Sequence, residues 1–329
     1  MAEVKIELRI RAFEEKHISQ VKSMFYGTIF PFVILGNEVS FYTKIRSEEV
    51  NIPDTVGKAN DIWVYFVTDL PVEIDIDNND VYYYDGDRNI PANMISVPKL
   101  KSSFKHGCLD EDFGAQLELF CLSMFYSSFL AFPSIDLNSA HFKTYLNERL
   151  FREKRYCEYA INQEAYEDWP EIFKSNLNIS QTWAWVIKNG ISCTSKPACP
   201  VVSLLYYLFN REFFEIMLFS VIGLETLYGD KRNKTGKSYT MQNRINAVFP
   251  EITKEQINEM YKHRSSIAHG EGEIASAIVW LDLVSNNKEY EETAILSSAL
   301  FLESIRMLIS KNATHFVFRE KVDVSYGFE

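Results

Sequence analysis

The chain has 329 residues, and its 34 Lys and Arg against 45 Asp and Glu give a formal charge of −11. With 47% hydrophobic and 24% charged residues it has ordinary globular composition, which excludes a disordered or fibrous chain. At roughly 100–200 residues per domain, two or three units are predicted, and the acidic total argues against nucleic-acid binding over the whole surface while leaving a local basic patch open. The run Met1 to Arg9 alternates charged and apolar residues and holds no apolar signal core. The longest apolar stretch, Leu117 to Phe132, is interrupted by Glu118 and three serines and is shorter than the ~20 residues of a membrane helix. The five cysteines (Cys108, Cys121, Cys157, Cys193 and Cys199) are odd in number and contain no C-x-x-C pair, so neither a disulfide framework nor a zinc knuckle is expected. The expectation is a soluble, cytoplasmic protein without membrane contact, metal or other cofactor.

In chain order, residues 1–108 read as β-rich. Val4 to Ile10 alternates with period two, Phe30–Leu35 and Ile62–Val67 are β-branched and aromatic runs, and Asp85-Gly86 after three tyrosines signals a hairpin. Prolines 31, 53, 71, 91 and 98 punctuate these runs. Asp75 to Asp80 looks superficially like a calcium loop, but it lacks the glycine at the sixth position and the glutamate at the twelfth, so a solvated turn is predicted. From Asp110 the period becomes helical. Helices are predicted over Phe113–Phe132 and Phe142–Ile161, with a break at Trp169-Pro170 and a resumption over Thr182–Ile187. After a loop at 195–200, helical segments follow at Val201–Tyr228, Tyr239–Val248, Lys254–His269 and about Tyr290–Ser310. The predicted class is α+β: a β-rich domain at 1–108, an all-helical domain at 109–312 with its core at 200–310, and a tail at 313–329. No internal repeat or low-complexity tract is present.

Two charges fall on apolar stripes. Ile257, Met260, Tyr261 and Ile267 share one face of the segment 254–269, and Arg264 lies on that stripe, seven residues after Ile257. Phe214, Met217, Leu218 and Val221 form the stripe of the preceding long segment, and Glu225 continues it. Opposite charges on two facing stripes predict that Glu225 and Arg264 meet, either as an orienting ion pair or to present the guanidinium to a ligand. His269 ends its segment before Gly270 and Gly272, and a helix C-terminus favours a positive group. At five residues from Arg264 it lies about 140° around the helix, so the two side chains do not stack but can border one pocket. His263 and Ser266 fall on other faces and are expected to be structural or exposed.

Arg264-Ser-Ser-Ile-Ala-His269 has the R-x4-H form of the HEPN ribonucleases, and Tyr261 to Gly270 resembles the Apea-like branch of that superfamily. Phe219 to Gly229 is similar to that branch's Leu-Glu-x-Leu helix, and Arg244-Ile245 to its arginine–isoleucine segment. The resemblance covers residues 200–310 firmly and 110–200 loosely. It departs from the branch at Ser265, where active members often carry Asn, Asp or His; serine still donates a hydrogen bond. The resemblance implies a helical domain that dimerises and brings two motifs together. It further implies metal-independent RNA cleavage by 2′-hydroxyl attack, with Arg264, His269, Ser265 and Glu225 in the site. Arginine suits charge growing on phosphate oxygens, and histidine suits proton transfer near neutrality.

Residues 231–270 carry eight Lys and Arg against three Glu, a net +5 within an acidic chain. Lys231, Arg232, Lys234, Lys237, Arg244 and Lys262 are the candidate RNA contacts, with 231–237 as a loop following a phosphate backbone. Phosphate-cradling motifs such as G-x-x-x-x-G-K and G-x-G-x-x-G are absent from the sequence. The first reading is an RNA endonuclease, an effector of the defence or toxin type, with 1–108 as a sensor or specificity module and an antitoxin or trigger protein as a further partner. The alternative is a non-catalytic HEPN homodimer that serves as an RNA-binding or regulatory module, a reading favoured by Ser265 and the acidic total.

Overall fold

The computed structural model describes residues 2–12, 15–34, 36–51, 58–70, 113–131, 140–146, 155–159, 175–190, 200–208, 213–229, 237–269 and 288–318. The predicted hairpin at 81–88, the acidic run 75–80, the loop 195–199 and the basic residues 231–236 lie outside them. The fold is α+β: an antiparallel sheet that begins at the N-terminus is followed by helices.

Strands β1 (Ala2–Ala12), β2 (Ile29–Ile34), β3 (Asn37–Asn51) and β4 (Lys58–Leu70) come from the region read as β-rich, and α1 (Glu15–Phe25) sits among them. The sequence reading passed over α1, although Ile18, Val21 and Phe25, at helical spacing, are all buried. Helix α2 (Phe113–Ala131) follows, then β5 (Ala140–Leu146) and β6 (Arg155–Tyr159). The sheet order is β2-β3-β4-β1-β5-β6.

The expected helix over Phe142–Ile161 is therefore corrected to two strands. Ala140, Phe142, Thr144 and Leu146 alternate with polar or aromatic residues, and this period of two suits a strand. Its register sets Phe142 opposite Leu8, Thr144 opposite Ile6 and Leu146 opposite Val4, continuing the apolar side of β1. The sheet thus takes in residues well beyond 108.

The helical part continues with α3 (Ile179–Trp185), whose N-cap Asn178 accepts a 2.8 Å bond from the Gln181 amide. A π-helical turn extends it over 186–190. The segment expected as one helix over Val201–Tyr228 divides into α4 (Pro200–Leu204), a 3-10 turn at 205–208 and α5 (Phe213–Tyr228). Helices α6 (Lys237–Val248), α7 (Lys254–His269) and α8 (Lys288–Ser310) complete it. Thr253 and Gln256 exchange backbone-to-side-chain bonds of 3.0 and 3.2 Å, a capping box that sets where α7 begins.

Sheet and helices share one core. Phe30, Phe41 and Phe66 from the sheet meet Phe120 of α2 and Trp183 of α3, with ring centroids 4.3–5.6 Å apart for Phe41–Phe120, Phe120–Trp183, Phe30–Trp183 and Phe66–Phe120. The Trp183 indole also donates to the Pro31 carbonyl at 3.0 Å. By length and composition alone α8 is apolar enough to cross a membrane, but 83% of that span is buried among the other elements.

Two features lock α8 in place. The Glu303 and Arg306 side chains are 1% and 5% exposed and pair at 2.9 Å. Arg306 also donates to the carbonyls of Leu130, Ala131 and Ser175, and Glu303 accepts from the Ser175 amide and hydroxyl at 2.8 and 2.7 Å. The second feature is a close crossing with α5, where a Cβ on Gly223 would lie 2.3–2.7 Å from the Phe301 ring. Arg306→Ala, which leaves Glu303 buried alone, is expected to cost about 3–5 kcal/mol in a denaturant melt. Gly223→Ala, which forces the packed Phe301 ring to move, is expected to cost about 1–3 kcal/mol.

Candidate active site

Helix α7 is amphipathic because Ile257 and Met260 are buried, with Tyr261 and Ile267 half-buried against the core. His263 is buried too, and its Nδ1 lies 3.1 Å from the Thr293 hydroxyl of α8. It therefore fixes α7 against α8 and has no open side to present to a ligand.

The next residue, Arg264, reaches across to α5. Its terminal nitrogen lies 3.4 Å from Glu225 Oε2, so the two charges paired on sequence grounds do meet. The pair is only half-buried, with side-chain exposures of 25% for Arg264 and 29% for Glu225. Within it, Arg264 Nε is shielded from solvent and has no hydrogen-bond partner among the described residues. A desolvated, unused donor on a charged group is costly, which makes the guanidinium a group able to gain from an added acceptor.

His269 is the last residue of α7 and is exposed. Five residues separate it from Arg264, about 7.5 Å along the axis and 140° around it. Ser265 and Ser266 are half-buried on the intervening turn, and Lys262 is exposed. Helix α7 thus offers a half-open guanidinium and an exposed imidazole, too widely spaced to touch each other directly.

The candidate RNA contacts divide. Lys231, Arg232 and Lys234 lie outside the described residues, and Lys237 opens α6 with its side chain outside them. Arg244 is engaged within the fold: it donates to the carbonyls of Tyr228 and Gly229 at 3.0 and 3.1 Å and lies over the Phe318 ring at 4.9 Å. It caps the C-terminal end of α5, where cations are favoured. The Gly229 amide turns back onto the Glu225 carbonyl at 2.8 Å, and a Cβ at Gly229 would lie 2.3 Å from that oxygen, so only glycine fits.

A supporting cluster behind Glu225 escaped sequence reading. Phe316 stacks on Tyr228 at 5.2 Å, Phe318 lies 5.7 Å from it, and Trp185 donates to the Ala313 carbonyl at 2.8 Å. The segment expected as a tail from residue 313 therefore begins as a packed clasp. Ser304 gives its one hydrogen to the Leu300 carbonyl at 2.6 Å, so the Tyr228 hydroxyl donates the 2.8 Å bond between them. Burial pushes the Tyr228 phenol far above its usual range and keeps it a neutral donor. The only signal in the sequence was the Phe316-Val317-Phe318 alternation, too short to assign.

Among the described residues there is no group of three His, Cys, Asp or Glu that could hold a metal ion. Comparison of the chain with protein-family models, curated proteins and solved structures gives no match. Because the Glu225–Arg264 pair is partly solvated, Glu225→Ala is expected to cost about 1 kcal/mol or less in stability, well below the loss at Arg306. A denaturant melt of the two variants side by side checks this ordering.

Proposed function

We propose that the chain is a metal-independent endoribonuclease of the HEPN type that acts as a homodimer, an effector of the defence or toxin kind. The observation that carries this reading is the Glu225–Arg264 contact at 3.4 Å, which holds a half-open guanidinium on the helix that ends in an exposed His269. In cleavage, a base takes the proton of a ribose 2′-hydroxyl and the freed oxygen attacks the adjacent phosphorus. An acid then protonates the departing 5′-oxygen, leaving a 2′,3′-cyclic phosphate and a free 5′-hydroxyl. Arg264, whose side chain is a quarter exposed, supplies donors to the phosphoryl oxygens as charge grows on them, and Glu225 sets its direction. Ser265, on the same turn, is a further donor. His269 moves the proton.

Each protomer has one such imidazole, while in-line cleavage uses an acid and a base. The reading therefore makes the site composite, with two chains each contributing His269. In EDTA, the purified protein is expected to cleave structured RNA, and His269→Ala to lower the rate by about 10²-fold or more without unfolding, since the residue is exposed at a helix end. Coexpression of wild-type and His269→Ala chains with random pairing is expected to give activity falling as the square of the wild-type fraction. A linear fall would replace the composite site with a self-contained protomer. Undiminished cleavage by folded His269→Ala would remove the nuclease assignment from this helix and favour the non-catalytic RNA-binding or regulatory dimer.

A further inference from the structure

The sheet has two unlike faces. Helices α1, α2 and α3 cover one of them through Phe25, Phe120 and Trp183, which pack on Phe30, Phe32, Phe41 and Phe66. The composition of the other face follows from the strand register. Ile29, Tyr42, Val67, Lys5 and Tyr145 form one row across β2, β3, β4, β1 and β5. The next row is Lys44, Tyr65, Glu7, Lys143 and Tyr156, and the third is Arg46, Trp63, Arg9, His141 and Glu158. These rows hold five Lys or Arg and five Tyr or Trp against two Glu, on a chain whose total charge is −11.

Where the side chains are described, they bear this pattern outward. Tyr42 is 56% exposed, Lys44 and Arg46 are exposed, and Trp63 and Tyr65 are half-exposed. Cations and rings interleave: Lys5 Nζ lies 4.1 Å from the Tyr65 ring centre and the Arg46 guanidinium 5.4 Å from that of Trp63. Lys5, Lys44, Ile45, Tyr65 and Val67 line a shallow depression of about 340 Å³. The rows flanking these three on the same face are acidic, with Asp69 opposite Glu3 and Glu48 opposite Asp61, itself opposite Arg11, and Glu48 accepts a 2.8 Å bond from Arg46.

We propose that this face binds single-stranded nucleic acid, with bases stacking on Tyr42, Trp63 and Tyr65 and phosphates meeting Lys5, Lys44 and Arg46. Rings at alternate positions of one strand stand about 7 Å apart, with cations on the neighbouring strands about 5 Å away, so a ring for a base and a charge for a phosphate recur together. A duplex hides its base faces and leaves the rings without a partner. An acidic peptide uses the cations but not the rings. Pairing of a foreign strand along the β2 edge is disfavoured, because Pro31 has no amide hydrogen and its carbonyl already accepts from Trp183. The inference goes beyond cleavage on α7 and does not depend on it.

The test is fluorescence anisotropy on the full chain carrying His269→Ala, so that a nuclease does not consume the probe. The probes are labelled oligouridylate and oligothymidylate of about 20 nucleotides, and a duplex of the same length. Both single strands are expected to bind and the duplex to bind at least tenfold more weakly. Trp63→Ala and Tyr65→Ala are each expected to weaken binding about tenfold. The doubly reversed Lys44→Glu, Arg46→Glu protein changes only exposed side chains, so it remains informative if a ring variant fails to fold. It is expected to weaken binding and to flatten the dependence of log affinity on log salt by about 1–2. Equal affinity for duplex, equal displacement by polyglutamate, or unchanged affinity in the folded double reversal would overturn the proposal. Loss of cleavage with binding retained would instead bear on the α7 site alone.

Discussion

Arg306 has a buried charge, and α2, α8 and the segment before α3 are placed so that it is neutralised. Burial alone lowers its pKa, because the charged form has lost its water; Glu303 beside it acts in the opposite sense. The guanidinium is then filled by carbonyls from the end of α2 and from Ser175, and Glu303 is filled by the amide and hydroxyl of the same serine. Neither charge is tolerable alone, and neither can be satisfied unless α2, α8 and the segment before α3 are correctly placed. The network therefore selects one arrangement of these elements over others of similar apolar burial. Gly223 against Phe301 adds a steric condition on the same helix from the opposite side.

The second ion pair differs in every respect that matters. Glu225 and Arg264 are each about a quarter exposed, meet at the long limit for a hydrogen bond, and leave one shielded nitrogen unused. Such a pair contributes little to stability, so its value to the molecule must be sought in what the guanidinium can still do. What stands behind it is rigid. Tyr228, Arg244 and the 313–318 segment fix the end of α5, and His263 fixes α7 to α8. The half-satisfied charge sits on a frame held by these contacts, as expected for a group kept available to a ligand.

Sequence reading succeeded where local pattern decides the outcome. α6, α7 and α8 were legible from apolar periodicity, and the Glu225–Arg264 contact from charges lying on two apolar stripes. It failed where distant chain decides. The Arg306 network could not be foreseen because its acceptors are main-chain carbonyls some 130–176 residues away, which carry no side-chain signature. The apolar residues of β5 and β6 fit a helical period as well as a period of two, and only pairing, of β5 with β1 and of β6 with β5, chooses between them. Arg244 was counted as a surface cation because nothing local shows that the end of α5 points at it. In β3, Val39, Phe41 and Ile45 alternate with Ser40, Tyr42 and Lys44, but the alternation fades after Ile45, where residues 46–49 are exposed, so only part of its fifteen-residue length announces a strand.

That same outward polarity bears on how the two halves of the chain relate. A sheet with one face buried needs only small polar residues on the other for solubility; Ser, Thr and Glu suffice. Rings are a liability there, since exposed aromatic surface next to an edge strand invites aggregation. Tyr42, Trp63 and Tyr65 nonetheless stand beside Lys5, Lys44 and Arg46 across β3, β4 and β1, and this is no by-product of the buried face, because opposite faces of a strand are chosen independently. Cross-strand ring and cation pairs such as Lys5–Tyr65 and Arg46–Trp63 stabilise the sheet by a few tenths of a kcal/mol to about 1 kcal/mol, and contact with a ligand is the further use proposed for them. The sheet and the helices share one aromatic core through Phe120 and Trp183, so whatever that face holds is held on the same body that carries Arg264 and His269.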